Sequence, residues 1–409
     1  MNLPAPYRFL ELTGTHRAIG EAMGHLDPPF RRPPWWPSPP DPELAEACRR
    51  LVARWHPPLI EEYEGYAAAQ GLDSRFLWQQ VCRTSMRARL FACSAVAWWS
   101  PEGVWVGRNY DFQPIQRRRD LIGLRPEGGM ASLGMMGSVP GGRYDGVNEA
   151  GLFVSLHAVM ADEPPPRPGL PFHLVPRILL ERCRSAGEAV ELLLRMPHML
   201  PMNFLIADPR EGFAVEVHPL GVAVRAPENG ILTVTNHYDH PALRAYHGPR
   251  DLRFSIRRKE QLVKRIASAG APPWERLRQA LSDHEAPVCG HRPGFATLWS
   301  VIAGLHQRTV EYAFGPPCQT PFHRFPRRAG SGRPITQRWN VRRRPRSQMK
   351  ASGKVRSSRI ASASSPPASA CSMAISRSPR PSNQAIARAN NGGSGSGAWR
   401  SRNSRNSSW

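Results

Sequence analysis

Cys93 is the thiol in this chain with suitable chemical company. It stands near the start of an apolar run, Phe91-Ala92-Cys93-Ser94-Ala95-Val96-Ala97-Trp98-Trp99. After Pro101-Glu102-Gly103 a second run follows, Val104-Trp105-Val106-Gly107-Arg108-Asn109-Tyr110-Asp111-Phe112, which closes on an arginine and an aspartate. Two β-rich runs about a Pro/Gly turn read as a hairpin, and pairing them returns Arg108 and Asp111 to the neighbourhood of Cys93. A thiol attacks carbonyls as thiolate, and a guanidinium beside it favours that form. Nucleophile, cation and carboxylate together can carry covalent acyl chemistry through sulfur. The structural alternative is an Arg–Asp pair at a strand end beside a small buried Cys.

The flanking sequence reads as the scaffold for that hairpin. A strand, a Gly turn and a short amphipathic helix span 7–26, a Pro/Trp-rich loop spans 28–40, and helices are expected at about 42–55, 59–69 and 74–88. Beyond the hairpin come a Gly-rich segment at 134–142, a turn feeding a strand at 145–157, and helical periodicity at 171–183 and 186–195. Ser185 and Glu188 are spaced as a capping box for the second of these helices. Hairpin strands at 203–207 and 213–218, strands at 222–225 and 231–235, helices at about 251–268 and 273–282, and strands at 297–303 and 310–314 complete the pattern. Strand pairs alternating with paired helices over about 320 residues indicate one α/β domain with mostly antiparallel sheets. Neither a phosphate-binding loop nor a strand-linked dinucleotide fingerprint occurs.

Taken in order, the motifs resemble a known superfamily. Cys93-Ser-Ala with Gly107-Arg-Asn-Tyr-Asp is similar to the nucleophile region of N-terminal-nucleophile (Ntn) amidohydrolases, in the branch of choloylglycine hydrolases and penicillin-type acyl-coenzyme A acyltransferases. Gly146-Val-Asn-Glu-Ala-Gly-Leu, Asn203-Phe-Leu-Ile-Ala-Asp, Thr233-Val-Thr-Asn-His-Tyr, Ser255-Ile-Arg-Arg, Cys289-Gly-His, Thr297-Leu-Trp-Ser and Gly315-Pro-Pro-Cys follow in the family's order. Leu12-Thr-Gly and Gly20-Glu-Ala-Met-Gly resemble the acyltransferase branch. The resemblance covers about residues 5–320.

It implies a four-layer αββα sandwich and autocatalytic cleavage of Ala92–Cys93. Residues 1–92 would be a helical propeptide or small subunit packed on a 93–320 core, leaving a heterodimer of the chain's own products. A free α-amine has a pKa of about 8, so it can serve as base for its own thiol. The resemblance assigns Arg108 to the thiolate, Asp111 to the amine, Asn236 to the oxyanion, and a late arginine at either Arg257 or Arg258. His157 and Asn109 are oxyanion-hole or pocket candidates, and Asn148 anchors a turn. The implied reaction is hydrolysis or acyl transfer at a linear, non-peptide C–N bond of a small-molecule amide or acyl substrate. No cofactor is implied, and a coenzyme A thioester would be the acyl co-substrate of a transferase. Trp98, Trp99 and Trp105 could line an apolar acyl pocket or pack the core. His284, Cys289 and His291 fit no standard zinc spacing, so they are read as packing, and no metal is expected.

Composition divides the chain near residue 321. From there to Trp409 there are 19 Lys and Arg and no acid, so the +23 of the whole chain falls to 23 − 19 = +4 for residues 1–320. A Ser/Arg/Pro/Ala/Gly stretch with few bulky apolar residues cannot offset its conformational entropy, so 321–409 is expected to be disordered. Two readings of it stand: an extension translated out of frame, and a nucleic-acid-binding arm, which would make the chain a basic nucleic-acid-binding protein. The absence of a DNA-reading helix or an aromatic RNA motif argues against nucleic acid. Seven scattered cysteines without C-x-x-C spacing, with neither a signal-like N-terminus nor a long apolar run, give the expectation of a cytoplasmic protein away from membranes.

Overall fold

The turn between Ser100 and Gly103 reverses the chain, and the runs on either side pair antiparallel with Cys93 opposite Tyr110 and Ala95 opposite Arg108. Everything else is layered around this hairpin in the computed structural model, which describes residues 7–29, 41–86, 92–113, 119–268, 270–292, 295–325 and 337–339. The first part runs β1 (Tyr7–Gly14), α1 (His16–Leu26), α2 (Pro42–Trp55), α3 (Pro58–Gln70) and α4 (Ser74–Ser85). The hairpin is β2 (Ala92–Ser100) and β3 (Gly103–Phe112). Then come β4 (Arg119–Pro126), β5 (Ser132–Met135), β6 (Asp145–Asn148), β7 (Phe153–Ala158), α5 (Leu174–Arg182), α6 (Ala186–Arg195), β8 (Met202–Ala207), β9 (Gly212–His218), β10 (Gly221–Arg225) and β11 (Ile231–Val234). The last part holds α7 (Pro241–Arg244), α8 (Arg253–Ala267), α9 (Pro273–Leu281), β12 (His291–Arg292), β13 (Phe295–Gly304), β14 (Thr309–Ala313), β15 (Phe322–Phe325) and β16 (Gln337–Trp339).

The strands form two sheets, β10-β9-β8-β7-β6-β5-β4-β1-β16 and β11-β2-β3-β13-β14-β15, with β12 added to β13. Among the described strands every pairing is antiparallel except β1 with β4. Alternation along each strand sends one set of side chains between the sheets and the other outward. Cys93, Ala95, Ala97, Val104, Val106 and Tyr110 belong to the inner core, whereas Val96 and Trp105 join an outer core with Leu262, Leu277 and Leu281. Helices α5 and α6 cover the nine-stranded sheet, and α8 and α9 cover the other. The result is the expected αββα sandwich. Among the described residues no helix is long and apolar enough to cross a membrane.

Local signals explain the helix limits. Asp73 accepts a hydrogen bond from the Phe76 N–H at 3.0 Å and so starts α4. Ser185 accepts from the Glu188 N–H at 3.2 Å, and the Glu188 carboxylate accepts from the Arg184 N–H at 2.7 Å, which closes the capping box one residue further out than the spacing suggested. Helices α1 and α3 cross closely because of glycine: a Cβ at Gly20 would meet the Glu62 carbonyl oxygen at 1.9 Å.

Three features differ from the sequence expectations. The N-terminal part supplies β1 to the nine-stranded sheet and shares its core through Ile19, Met23 and Tyr63, so it contributes to the core in addition to packing on it. Strand β4, carrying Gly and ending in Pro, gave no alternating signal. The tail assigned to disorder from residue 321 begins with strand β15, and β16 pairs with β1. Phe325 packs against Phe9, Tyr312 and Phe314, and Arg324 pairs with Glu311, contacts that a compositional average hides. Residues 326–336 and 340–409, like the 30–40 part of the Pro/Trp loop, lie outside the described residues.

Candidate active site

Cys93 is fully buried on the inner face of β2. Its Sγ lies 3.7 Å from Arg108 Nη2, because Arg108 shares the inward parity of Tyr110 across the hairpin. The same Nη2 donates to the Leu156 carbonyl at 2.8 Å. Nη1 donates to Asp145, which also accepts from Trp299 Nε1 and Tyr312 Oη, each at 2.9 Å. The cation beside the sulfur is thus held by a buried carboxylate that the sequence reading passed over. Asp145 opens the Gly146-Val-Asn motif, where only Asn148 was singled out. Asn148 itself donates to the Leu180 and Cys183 carbonyls and accepts from Leu152 N–H, the turn anchor expected.

A second cation meets the backbone of Cys93 from the other side. Arg258, on the buried face of α8, donates to the Cys93 carbonyl and to Ser94 Oγ at 2.7 Å each, and to Asn236 Oδ1 at 2.6 Å. That Oδ1 also accepts from the Cys93 N–H at 3.0 Å. With two donors on Oδ1 the amide orientation follows, and Nδ2 donates to the Ala158 carbonyl at 2.8 Å. Ser255 Oγ fixes the Asn236 main chain at 2.8 Å. Of the two arginine candidates it is Arg258 that meets Cys93 and Asn236, whereas Arg257 is exposed and donates to the Glu285 carbonyl at 3.5 Å. A helix places its successive residues on different faces, which separates the two.

Asp111 pairs with Ala92 in register, so its side chain leaves the outer face, opposite to that of Cys93. It accepts from Thr297 Oγ1 at 2.5 Å and feels the charge of Arg258. The hairpin therefore delivers Arg108 to the sulfur and Asp111 to the Arg258 side of the same strand end. Asn109 is a correction: its Nδ2 donates to the Leu281 and Val288 carbonyls, and its Oδ1 accepts from Ser300 Oγ at 2.6 Å. Nδ2 thus holds the segment after α9 against β3, and Oδ1 ties β3 to β13. Trp98 and Trp105 pack with the outer core, Trp98 beneath the Arg276 guanidinium, and only Trp99 packs on the inner core. His157 is buried, with Nε2 3.0 Å from Ser155 Oγ and Nδ1 without a hydrogen-bond partner among the described residues. Burial and the charges of Arg108 and Arg258 hold its pKa well below the usual value, so the ring is neutral.

The electrostatics describe an intact, uncleaved chain. Burial pushes the Cys93 thiol up to about 11, with Arg108 pulling it down, so at neutral pH it needs a base to lose its proton. Burial pushes Asp111 up to about 6 from the ordinary 3.8, against the pull of Arg258 and Thr297. A folded pKa above the unfolded one means that the folded state holds the proton more tightly. The stability this contributes is fully present below about pH 4 and is lost as pH rises through about 6. In a Cys93→Ala chain, Asp111→Asn is therefore expected to raise the melting temperature at pH 7 and to leave it unchanged near pH 4. Thermal melts of the pair across that range check this; a shift of equal size at both ends would contradict it.

Two clusters among the described residues bring potential metal ligands together. In His16, His56 and Glu181 the carboxylate is already taken by Arg177 Nε at 2.8 Å, which suits a buried ion network more than a metal. Among the described residues no such cation is paired with His284, Cys289, His291 or Cys318.

Solved proteins similar to this chain include the Caenorhabditis elegans N-acylethanolamine-hydrolyzing acid amidase ortholog, with 16% identity over 52% of this chain and 92% of that one and a TM-score of 0.40. A mutant of the conjugated bile acid hydrolase from Clostridium perfringens is another, with 13% identity over 61% and 97% and a TM-score of 0.39. A third is penicillin V acylase from Agrobacterium tumefaciens, with 15% identity over 54% and 83% and a TM-score of 0.37. A search of curated proteins finds no match. The family profile of acyl-coenzyme A:6-aminopenicillanic acid acyl-transferase matches residues 98–319, which include Arg108, Asp111, Asn236 and Arg258 and begin just after Cys93. With more than half its length matched, the chain belongs to the acyl-coenzyme A:6-aminopenicillanic acid acyl-transferase family of Ntn enzymes, which perform amide hydrolysis or acyl transfer.

Proposed function

We propose that the chain is a cysteine Ntn hydrolase or acyltransferase for linear, non-peptide amides, activated by cleavage of its own Ala92–Cys93 bond. The observation that carries the reading is the pair of contacts on one residue: Arg108 lies 3.7 Å from the Cys93 sulfur while Asn236 accepts the Cys93 N–H at 3.0 Å. In the first event the thiol attacks the Ala92 carbonyl, the acyl group moves from nitrogen to sulfur, and water hydrolyses the thioester. The new α-amine, with a pKa of about 8, is partly unprotonated at neutral pH. It takes the proton that the buried thiol releases when the sulfur attacks a substrate amide. The second Nδ2 hydrogen of Asn236 faces the developing oxyanion, a donor whose loss typically costs about 10²–10³ in turnover. Arg258 keeps Asn236 and the Cys93 carbonyl in register. The substrate amine leaves with the proton, and water or an acceptor amine or thiol resolves the acyl-enzyme.

The test is to offer purified protein a series of linear amides, quench in acid, and map the peptides by mass. The expected result is an acyl adduct on the peptide beginning at Cys93, discharged faster when an amine acceptor is added if the enzyme is a transferase. Turnover with the adduct on another residue would refute the proposed nucleophile.

A further inference from the structure

The end of the seven-stranded sheet next to Asp111 gathers four soft ligands from three stretches of chain. Because β13 and β14 run antiparallel, the start of β13 and the segment after β14 lie at the same end of the sheet. Strand β12 adds its His291 to the start of β13, opposite Ala296. Cys318 follows the Gly315-Pro-Pro turn, and His284 and Cys289 come from the segment after α9. One ligand atom from each of His284, Cys289, His291 and Cys318 lies within 4.8 Å of the other three.

The S···S separation is that of a tetrahedral zinc site, and the His291 nitrogen lies somewhat closer to both sulfurs than it would with the ion between them. Zinc bonds of about 2.3 Å to sulfur and about 2.0–2.1 Å to nitrogen give a tetrahedron with S···S edges of about 3.8 Å and S···N edges of about 3.6 Å. Cys289 Sγ and Cys318 Sγ are 3.7 Å apart, too far for a disulfide bond. His291 Nε2 is 3.2 Å from Cys289 Sγ and 3.0 Å from Cys318 Sγ. Two thiols and two imidazoles form the soft, four-ligand set that selects zinc over magnesium or calcium. Three members of this group fit no zinc pattern in sequence because the fourth, Cys318, returns by way of the β13–β14 hairpin.

We propose that His284, Cys289, His291 and Cys318 bind one structural Zn²⁺ that clamps the segment after α9 to the end of β14. Four protein ligands close the coordination sphere, so the ion is structural. Its reach extends to the candidate site by hydrogen bonds. Gly290, between two of the ligands, donates to Thr297 Oγ1 at 2.8 Å and accepts from Thr297 N–H at 3.1 Å, and Thr297 Oγ1 in turn binds Asp111. The ion thereby fixes the donor that orients Asp111. The proposal is independent of which residue is the nucleophile.

The full chain, produced in zinc-supplemented medium and purified without chelator, should contain about one zinc per chain by elemental mass spectrometry. His291→Ala or Cys318→Ser should reduce this to background and lower the melting temperature, while Cys183→Ala, a buried thiol outside the cluster, should keep the metal. Chelation followed by Co²⁺ titration of the unsubstituted protein should produce sulfur-to-cobalt charge transfer and tetrahedral d–d bands, with no variant needed. A folded, zinc-grown protein without stoichiometric metal or cobalt bands would overturn the proposal, and so would a Cys289–Cys318 disulfide in a non-reducing peptide map.

Discussion

A Cys93→Ala chain is expected to stay in one piece and to lose turnover on any amide the parent cleaves by on the order of a millionfold, the loss seen when the nucleophile of a tightly coupled catalytic unit is removed. Both effects have one cause. The sulfur that would break Ala92–Cys93 is the same atom that would carry the substrate acyl group. The structural cost should be small, since Cys93 is a small buried residue packed among apolar neighbours, and the Arg258 and Asn236 contacts reach its main chain, which alanine retains. The variant should therefore fold, and its inactivity should be chemical. Activity assays run beside thermal melts separate the two: a folded variant with parental turnover would remove Cys93 from the mechanism.

The second large effect lies at a residue with no reaction to perform. Asp145→Asn is expected to destabilise the protein by about 3–5 kcal/mol, because the Arg108 guanidinium would be left buried without its counter-ion. The amide cannot substitute. Asp145 is met by four donors, from Arg108, Trp299, Tyr312 and the Met135 main chain, and a carboxylate only accepts whereas an amide turns an NH₂ toward at least one of them. Denaturant unfolding measures the loss directly. A companion effect should follow in the same preparation, namely slower self-cleavage, because Arg108 would no longer be held beside the sulfur. Stability within about 0.5 kcal/mol of the parent would mean that Arg108 finds another anchor.

The hairpin and its charged end were legible in the sequence because they depend on local pattern: alternating apolar runs, a Pro/Gly turn and a Gly-Arg-Asn-Tyr-Asp close. The helices were legible too, through their caps and periodicity. Period-two counting would have gone further. Trp98 is an odd number of positions from Cys93 and so faces the helical layer, and Asp111 is out of phase with Arg108 for the same reason. Asp145, the partner of Arg108, was hidden because its role arises only when β3, β6, β13 and β14 meet, and nothing local marks it. The four residues of the proposed zinc site were split in the same way by a hairpin. Asn109 misled because a motif position was taken as a pocket position, while its three contacts all secure main chain or scaffold. Strand β15 was lost in a basic average, although Phe322 packs on Trp274 and Phe325 on Phe9.

The most direct test of the central claim is the intact mass and N-terminal sequence of the purified chains. Self-activation at Ala92–Cys93 predicts a fragment whose first residue is Cys93, carrying a free α-amine, and a separate partner ending at Ala92, with neither present in Cys93→Ala. An active preparation made only of the uncut chain would contradict it.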